Sequence, residues 1–282
     1  MERTIVEQVK GFRTEDGAGV SLVRVLGNGT AKAFDPILML DSFDSTNPDD
    51  YTAGFPMHPH RGIETISYIY RGKMVHVDSL GNRDAIGDGQ MQWMTAGSGI
   101  LHEEQIPPAE RLLGVQLWLN LPSKDKMAPP AYHSIKDDEI KEIPFEGGTL
   151  RLLAGSYGEE RGHQGKYLPL DYYDIHLDPN ASLTVRTEES RSVMAFTLLG
   201  EAVVAGENVR EKTAVKFSEG NFVTIKSGKD PVQILFMSSV KLDEQIVWGG
   251  PIVMNSRAEL DEAFSDLHRG TFLKQKMSYD TK

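Results

Sequence analysis

Histidines and a carboxylate recur at ligand spacing in one stretch of the chain, Phe55 to Glu104. It reads FPMHPHRGIETISYIYRG, then MVHVDSLGNRDAIGDGQMQWM after one lysine, then TAGSGILHEE. Side chains of an extended strand alternate faces, so His58 and His60 project together, and His102 and Glu104 do the same. Two strand ends of this kind can converge on one cation with three imidazoles and one carboxylate. That donor set suits Fe(II), Mn, Co, Ni, Cu or Zn, and it leaves open positions only on a five- or six-coordinate ion. Open positions permit chemistry. The same parity turns Glu103 away from His102.

The elements that must position these groups are strands. TIVEQVKGFRTEDGAGVSLVRVLG alternates apolar and polar residues around a turn at Asp16-Gly17, and Ile37 to Phe43 is an apolar run of strand length. Ile63 to Tyr70 is rich in β-branched and aromatic residues, Arg71-Gly72 turns the chain, and Met74 to Asp78 returns. Met91 to Met94 leads into a loop through Gly97 and Gly99, where glycine permits a sharp bend beside His102. Gly114 to Asn120 is a further strand. Lys124 to Glu146 is charged, carries Pro129-Pro130 and Pro144 and shows no sustained period, so the interdomain connection is expected there. From Gly148 short strands resume at regular spacing, as in a second β-barrel. Its histidines, His163 and His176, have no H-x-H or H-x-E partner, so one metal per chain is expected. Near the end, Ser256 and Glu259 match a capping box, and Leu260, Ala263, Phe264 and Leu267 form one apolar stripe. His268 and Arg269 suit a helix C-terminus and Gly270 suits the residue after it, so a short helix docked on a barrel is expected.

Composition narrows the function classes. A chain of 282 residues accommodates two ordinary domains, and 27 glycines with 14 prolines supply the turns that short strands need. No run approaches the roughly 18 apolar residues of a membrane span, and the first residues lack a secretory apolar stretch, so a cytoplasmic protein without a membrane partner is expected. There is no cysteine, which excludes disulfides, thiolate metal sites and a cysteine nucleophile. A formal net charge of −11 opposes direct nucleic-acid binding.

His58-x-His60-x3-Glu64-x7-Gly72 followed by Gly99-x2-His102 resembles the two motifs of the cupin superfamily. HPHRGIET with QWMTAGSGILHEE is similar, more narrowly, to the pirin family, as are Gln116 to Pro122, Leu152 to Gly158 and Gly249 to Leu260. The resemblance implies an all-β bicupin, two face-to-face antiparallel β-barrels of jelly-roll type with a short C-terminal helix. Its expected domains are a metal-binding barrel over 1–134 and a metal-free barrel over 135–282 that includes the linker and helix. It implies His58, His60, His102 and Glu104 as metal ligands, with Glu64 present but not a ligand. It implies one divalent ion per chain, foremost Fe(II). It also implies quercetin 2,3-dioxygenase activity, in which a planar flavonol reacts with O2 and carbon monoxide is released, with Glu104 as the catalytic base. Alternatives are a non-catalytic, metal- and redox-responsive module that regulates a partner protein, and a cupin oxygenase with another substrate. A monomer or weak dimer is expected. Arg61, Glu64, His76 and Gln116 are expected around the ligands, with Asp78 on the strand face of His76. Trp93, Trp118, Phe55 and Tyr70 read as core, with one of them expected to line the pocket mouth, and Tyr132 and His133 as linker packing.

Overall fold

The computed structural model describes residues Met1–Gln275. The chain divides into two compact units that are not simple cuts in the sequence. One takes Arg13–Leu22, Ile37–Lys136 and the chain from Asp243 onward; the other takes Met1–Phe12, Val23–Pro36 and Asp137–Leu242.

In the unit that carries the histidines, a seven-stranded antiparallel sheet runs in the order Ala131–Ile135, Gln90–Thr95, Ile63–Arg71, Leu112–Asn120, Ile37–Ser45, Val20–Leu26 and Phe12–Asp16. A four-stranded sheet runs Phe55–His60, Ile100–Gln105, Met74–Asp78 and Arg83–Ile86. Val20, Phe43, Ile69, Met74 and Ile86 form one apolar cluster that draws on both sheets. Ile63–Arg71 is buried on both faces over most of its length, which is why its sequence is nearly continuous in apolar and β-branched residues instead of alternating. Phe55–His60 holds two prolines and lies at a sheet edge, where the missing N–H groups interrupt no ladder.

The other unit repeats the plan. Its seven-stranded sheet runs Ile5–Lys10, Thr213–Phe217, Ser192–Leu199, Val232–Ser239, Leu170–Leu177, Gly148–Ala154 and Lys141–Phe145, and its four-stranded sheet runs Ser182–Arg186, Phe222–Ser227, Ala202–Val204 and Glu207–Val209. Leu150, Ile175, Val185, Val204, Val223 and Phe236 share its core.

Two features differ from the expected division at 134/135. The N-terminal strand Ile5–Lys10 pairs with Thr213–Phe217, because a strand is claimed by the sheet edge it completes and not by its sequence neighbours. The buried Arg3 strengthens this, donating to the carbonyls of Glu188 at 2.6 Å and Ser218 at 2.6 Å. The helix Arg257–Arg269 belongs with the histidine-bearing unit, where Leu260 and Ala263 join Ile252, Met254 and Phe272 in one cluster. Its capping box forms as expected, with Glu259 N–H donating to Ser256 Oγ and Gly270 left-handed at the C-terminus. The inner stripe also buries Asp266, which sequence pattern alone places on the polar face. Arg61 explains it, donating to Asp266 Oδ2 at 2.8 Å. The segment Lys124–Glu146 is likewise not a bare connection, since Ala131–Ile135 and Lys141–Phe145 are edge strands. None of the described helices is long and apolar enough to cross a membrane.

Candidate metal centre

Three imidazoles converge at the end of the four-stranded sheet. Ile100–Gln105 lies between Phe55–His60 and Met74–Asp78, and its register sets His102 opposite His58 on one side and Asp78 on the other. An irregularity in the pairing between His102 and Glu104 brings Glu104 opposite Phe55, a local re-aiming of side chains of the kind bulges provide beside sites. The donor nitrogens of His58, His60 and His102 lie within 4.8 Å of one another, and among the described residues this is the one group of three or more possible metal donors found so close.

The hydrogen-bond pattern leaves the right lone pairs free. His58 Nδ1 meets the carbonyl of Pro56 at 2.8 Å, and His60 Nδ1 meets that of Pro251 at 2.9 Å. A carbonyl only accepts, so each Nδ1 carries the hydrogen and each Nε2 is a bare lone pair. Those two Nε2 atoms face each other at 3.0 Å. Facing lone pairs repel; a cation held by both removes the conflict. Two nitrogens about 2.1 Å from one ion, at roughly a right angle, stand about that far apart. His102 is fully buried, yet neither of its ring nitrogens has a protein partner. A buried polar group left unpaired costs about 1–3 kcal/mol, a cost that ligation recovers. Burial, then His58, pushes the His60 pKa down to about 3. Burial, then His60, His58 and His76, holds His102 well below the ordinary histidine value. Both rings are therefore neutral donors at neutral pH.

Glu104 is not within that cluster of nitrogens. Its buried carboxylate receives donors: Gln116 Nε2 lies 2.9 Å from Oε1 and 2.8 Å from Oε2, and Gln92 Nε2 lies 3.0 Å from Oε1. Glu103, by contrast, is less buried and accepts from Gln105 Nε2 at 2.7 Å, as strand parity requires. Gln116, expected near the candidate ligands, bonds the Glu104 carboxylate, while sequence reasoning missed Gln92. Its signal was there: an amide between Met91 and Trp93, in a strand buried on both faces, must find an internal partner.

The remaining residues divide. The buried His76 ring lies 5.3 Å from that of His102, its Nε2 is 2.9 Å from Asp78 Oδ2 and its Nδ1 has no partner. Arg61 points away from the imidazoles: it bonds the carbonyls of Ser98 and Phe272, both at 2.8 Å, as well as Asp266. It clamps the backbone around the ligands instead of touching them. Glu64 is a correction. It shares a strand with Ser67, but the odd spacing turns it to the opposite face, where it accepts from Thr95 at 2.6 Å. Trp118 does border the site, edge-on to His60 at 4.9 Å and 5.5 Å from Trp248. Tyr132 is a second correction: not linker packing, it stacks on His76 at 4.1 Å and donates to Gln92 Oε1 at 3.2 Å. The strand Ala131–Ile135, paired with Gln90–Thr95, carries it there.

The loops are held close. Gly62 and Gly97 have positive φ, and a Cβ on either would strike a backbone oxygen, that of Val253 at 2.0 Å or of Ala128 at 2.1 Å. Glycine at position 62 lets the segment that carries Pro251 and Val253 approach His60, and glycine at 97 lets Ala128 approach.

Glu64 yields a stability prediction. Burial raises its pKa from 4.5 to about 7, with Thr95 and Trp93 partly opposing the rise. The folded state then binds more protons than the unfolded state between those values, so stability falls as pH rises from about 4.5 to 7 and stays reduced above. Glu64→Gln should remove this slope, a gain on the order of 3 kcal/mol at pH 8 relative to pH 4. Denaturant melts of both proteins across that range check it, and parallel pH profiles would contradict the assignment.

Comparison with known proteins agrees with this architecture. The family model described as Pirin matches residues 19–119, and that described as the Pirin C-terminal cupin domain matches residues 172–273. A Pseudomonas aeruginosa protein whose name assigns it provisionally as a quercetin 2,3-dioxygenase is 38% identical over 95% of this chain and 97% of its own length. A pirin-like protein of Caulobacter vibrioides is 37% identical over 96% and 99%. The crystal structure of an Acinetobacter baumannii quercetin 2,3-dioxygenase aligns with a TM-score of 0.89 and 32% identity, covering 96% of this chain and 99% of that one.

Proposed function

This chain belongs to the pirin family, and from that premise we propose that it is a mononuclear metal-dependent quercetin 2,3-dioxygenase, cleaving a flavonol with O2 and releasing carbon monoxide. The observation that carries the reading is the trio of imidazoles, two of them buried, whose nitrogens lie within 4.8 Å of one another beside a buried carboxylate. His58, His60 and His102 would hold the ion, foremost Fe(II), with Glu104 as the fourth ligand. When bound, the ion supplies a Lewis-acidic, redox-capable centre for the reaction of substrate with O2.

The chain's own groups do the rest. Pro56 and Pro251 fix the tautomers of His58 and His60 through their carbonyls. Glu104 is the acceptor for the flavonol hydroxyl proton, because its carboxylate oxygens face donors only. Gln92 and Gln116 keep that carboxylate oriented. Trp118, edge-on to His60, gives the site an aromatic wall suited to a flat ring system.

The test is an anaerobic preparation loaded in turn with Fe, Mn, Co, Ni and Cu, then given quercetin and O2. Joint consumption of quercetin and O2 with release of carbon monoxide is expected in at least one form. Metal-loaded protein that releases no carbon monoxide in any form would overturn the dioxygenase reading in favour of a regulatory module.

A further inference from the structure

The carboxylate of Glu104 is held by a chain of hydrogen bonds that begins at the edge of the sheet. Gln92 reaches it with Nε2 at 3.0 Å, and that nitrogen also lies 3.4 Å from Ser67 Oγ. A glutamine amide can rotate by half a turn, exchanging oxygen for nitrogen. The acceptor-only carboxylate selects the donor orientation, and the other end of the amide is held by Tyr132, whose hydroxyl donates to Oε1 at 3.2 Å. In the flipped amide, oxygen would confront the carboxylate. The Tyr132 ring is itself fixed, stacked on His76 at 4.1 Å with an interplanar angle of 10°.

The two carboxylate oxygens are also not equivalent. Oε1 receives both Gln92 and Gln116, whereas Oε2 receives Gln116 alone. Oε1 is therefore the restrained oxygen, and Oε2 the one with more free lone-pair capacity.

We propose that Tyr132 is a positioning residue for Glu104, acting through Gln92 to pin Oε1 and so present Oε2 to an ion held by His58, His60 and His102. The inference rests on the metal-centre part of the proposed function, not on the flavonol chemistry. Tyr132 touches neither ion nor substrate. It converts the strand Ala131–Ile135 into part of the site's support, and one ring braces both the amide behind Glu104 and the imidazole beside His102.

Tyr132→Phe tests this, since it keeps the ring stacked on His76 and removes only the hydroxyl. The probe is Co(II) alone, titrated into metal-free protein and followed by visible absorption and by competition with a chelator. Loss of an outer partner of a metal ligand costs roughly 10–100-fold in affinity, so Tyr132→Phe should fall near the lower end of that range with an altered Co(II) spectrum, and Gln92→Leu should lose at least as much. Acting through one amide, the two changes should not add: Tyr132→Phe introduced into Gln92→Leu should change affinity by less than about twofold. A merely structural role would move the thermal midpoint and leave Co(II) affinity and spectrum as in the wild type, which would overturn the proposal. So would a full-sized Tyr132→Phe effect that survives in the Gln92→Leu background. A wild type that binds Co(II) yet never cleaves quercetin would overturn the dioxygenase reading and leave this inference standing, whereas a wild type that binds no Co(II) would overturn both.

Discussion

Replacing His102 by alanine should yield a folded protein that retains no metal. His102 is the third corner of a triangle of rings, its centroid 4.4 Å from His58 and 5.1 Å from His60, and it offers two nitrogens with no competing partner. Removing it deletes one of three imidazole donors and nothing that the surrounding hydrogen bonds need. An ion that binds only the folded state adds about 2.7 kcal/mol of stability at a hundredfold excess over its dissociation constant. The wild type should therefore melt at a higher temperature with added metal, and His102→Ala should melt alike with and without it. Circular dichroism controls for folding. A variant that still binds an equivalent of metal would contradict the assignment.

Glu104→Gln should separate metal retention from turnover. The substituted amide keeps an oxygen donor beside the three histidines, so metal persists at lower affinity, but the proton acceptor is gone. Loss of a general base costs typically 10²–10⁴ in rate, and turnover per bound metal should fall by that order. Glu103→Gln should change little, because Glu103 is half-buried on the opposite strand face from His102 and accepts from Gln105. If Glu103→Gln proves the more damaging of the two, the catalytic assignment falls.

The grouping of His58, His60 and His102 was legible because the candidate ligands come in pairs two residues apart on extended strands, where parity alone decides which groups share a face. The same rule separated Glu104 from Glu103. Glu64, expected around the ligands, was misplaced by the sequence reading: three residues from Ser67 on one strand, it faces the other way and accepts from Thr95. What could not be read were the groups that arrive through pairing between distant strands. Tyr132 reaches Gln92 because two strands lie side by side, and the Pro251 carbonyl reaches His60 across a separation that no local pattern records. Backbone acceptors carry no sequence signature at all. The exchange of termini between the two units was hidden for a related reason, since Ile5–Lys10 is placed by the edge it completes more than two hundred residues away. The helix was the opposite case: its cap, stripe and terminal glycine are local, and all three were legible, with Asp266 the one surprise because its partner Arg61 lies far off in sequence.

Elemental analysis of the wild type beside a His58→Ala/His60→Ala/His102→Ala variant, both purified anaerobically and equilibrated with Fe(II), tests the central claim most directly. One ion per wild-type chain and none in the triple variant is the predicted result; two tightly held ions per chain, or one ion retained by the variant, would contradict it.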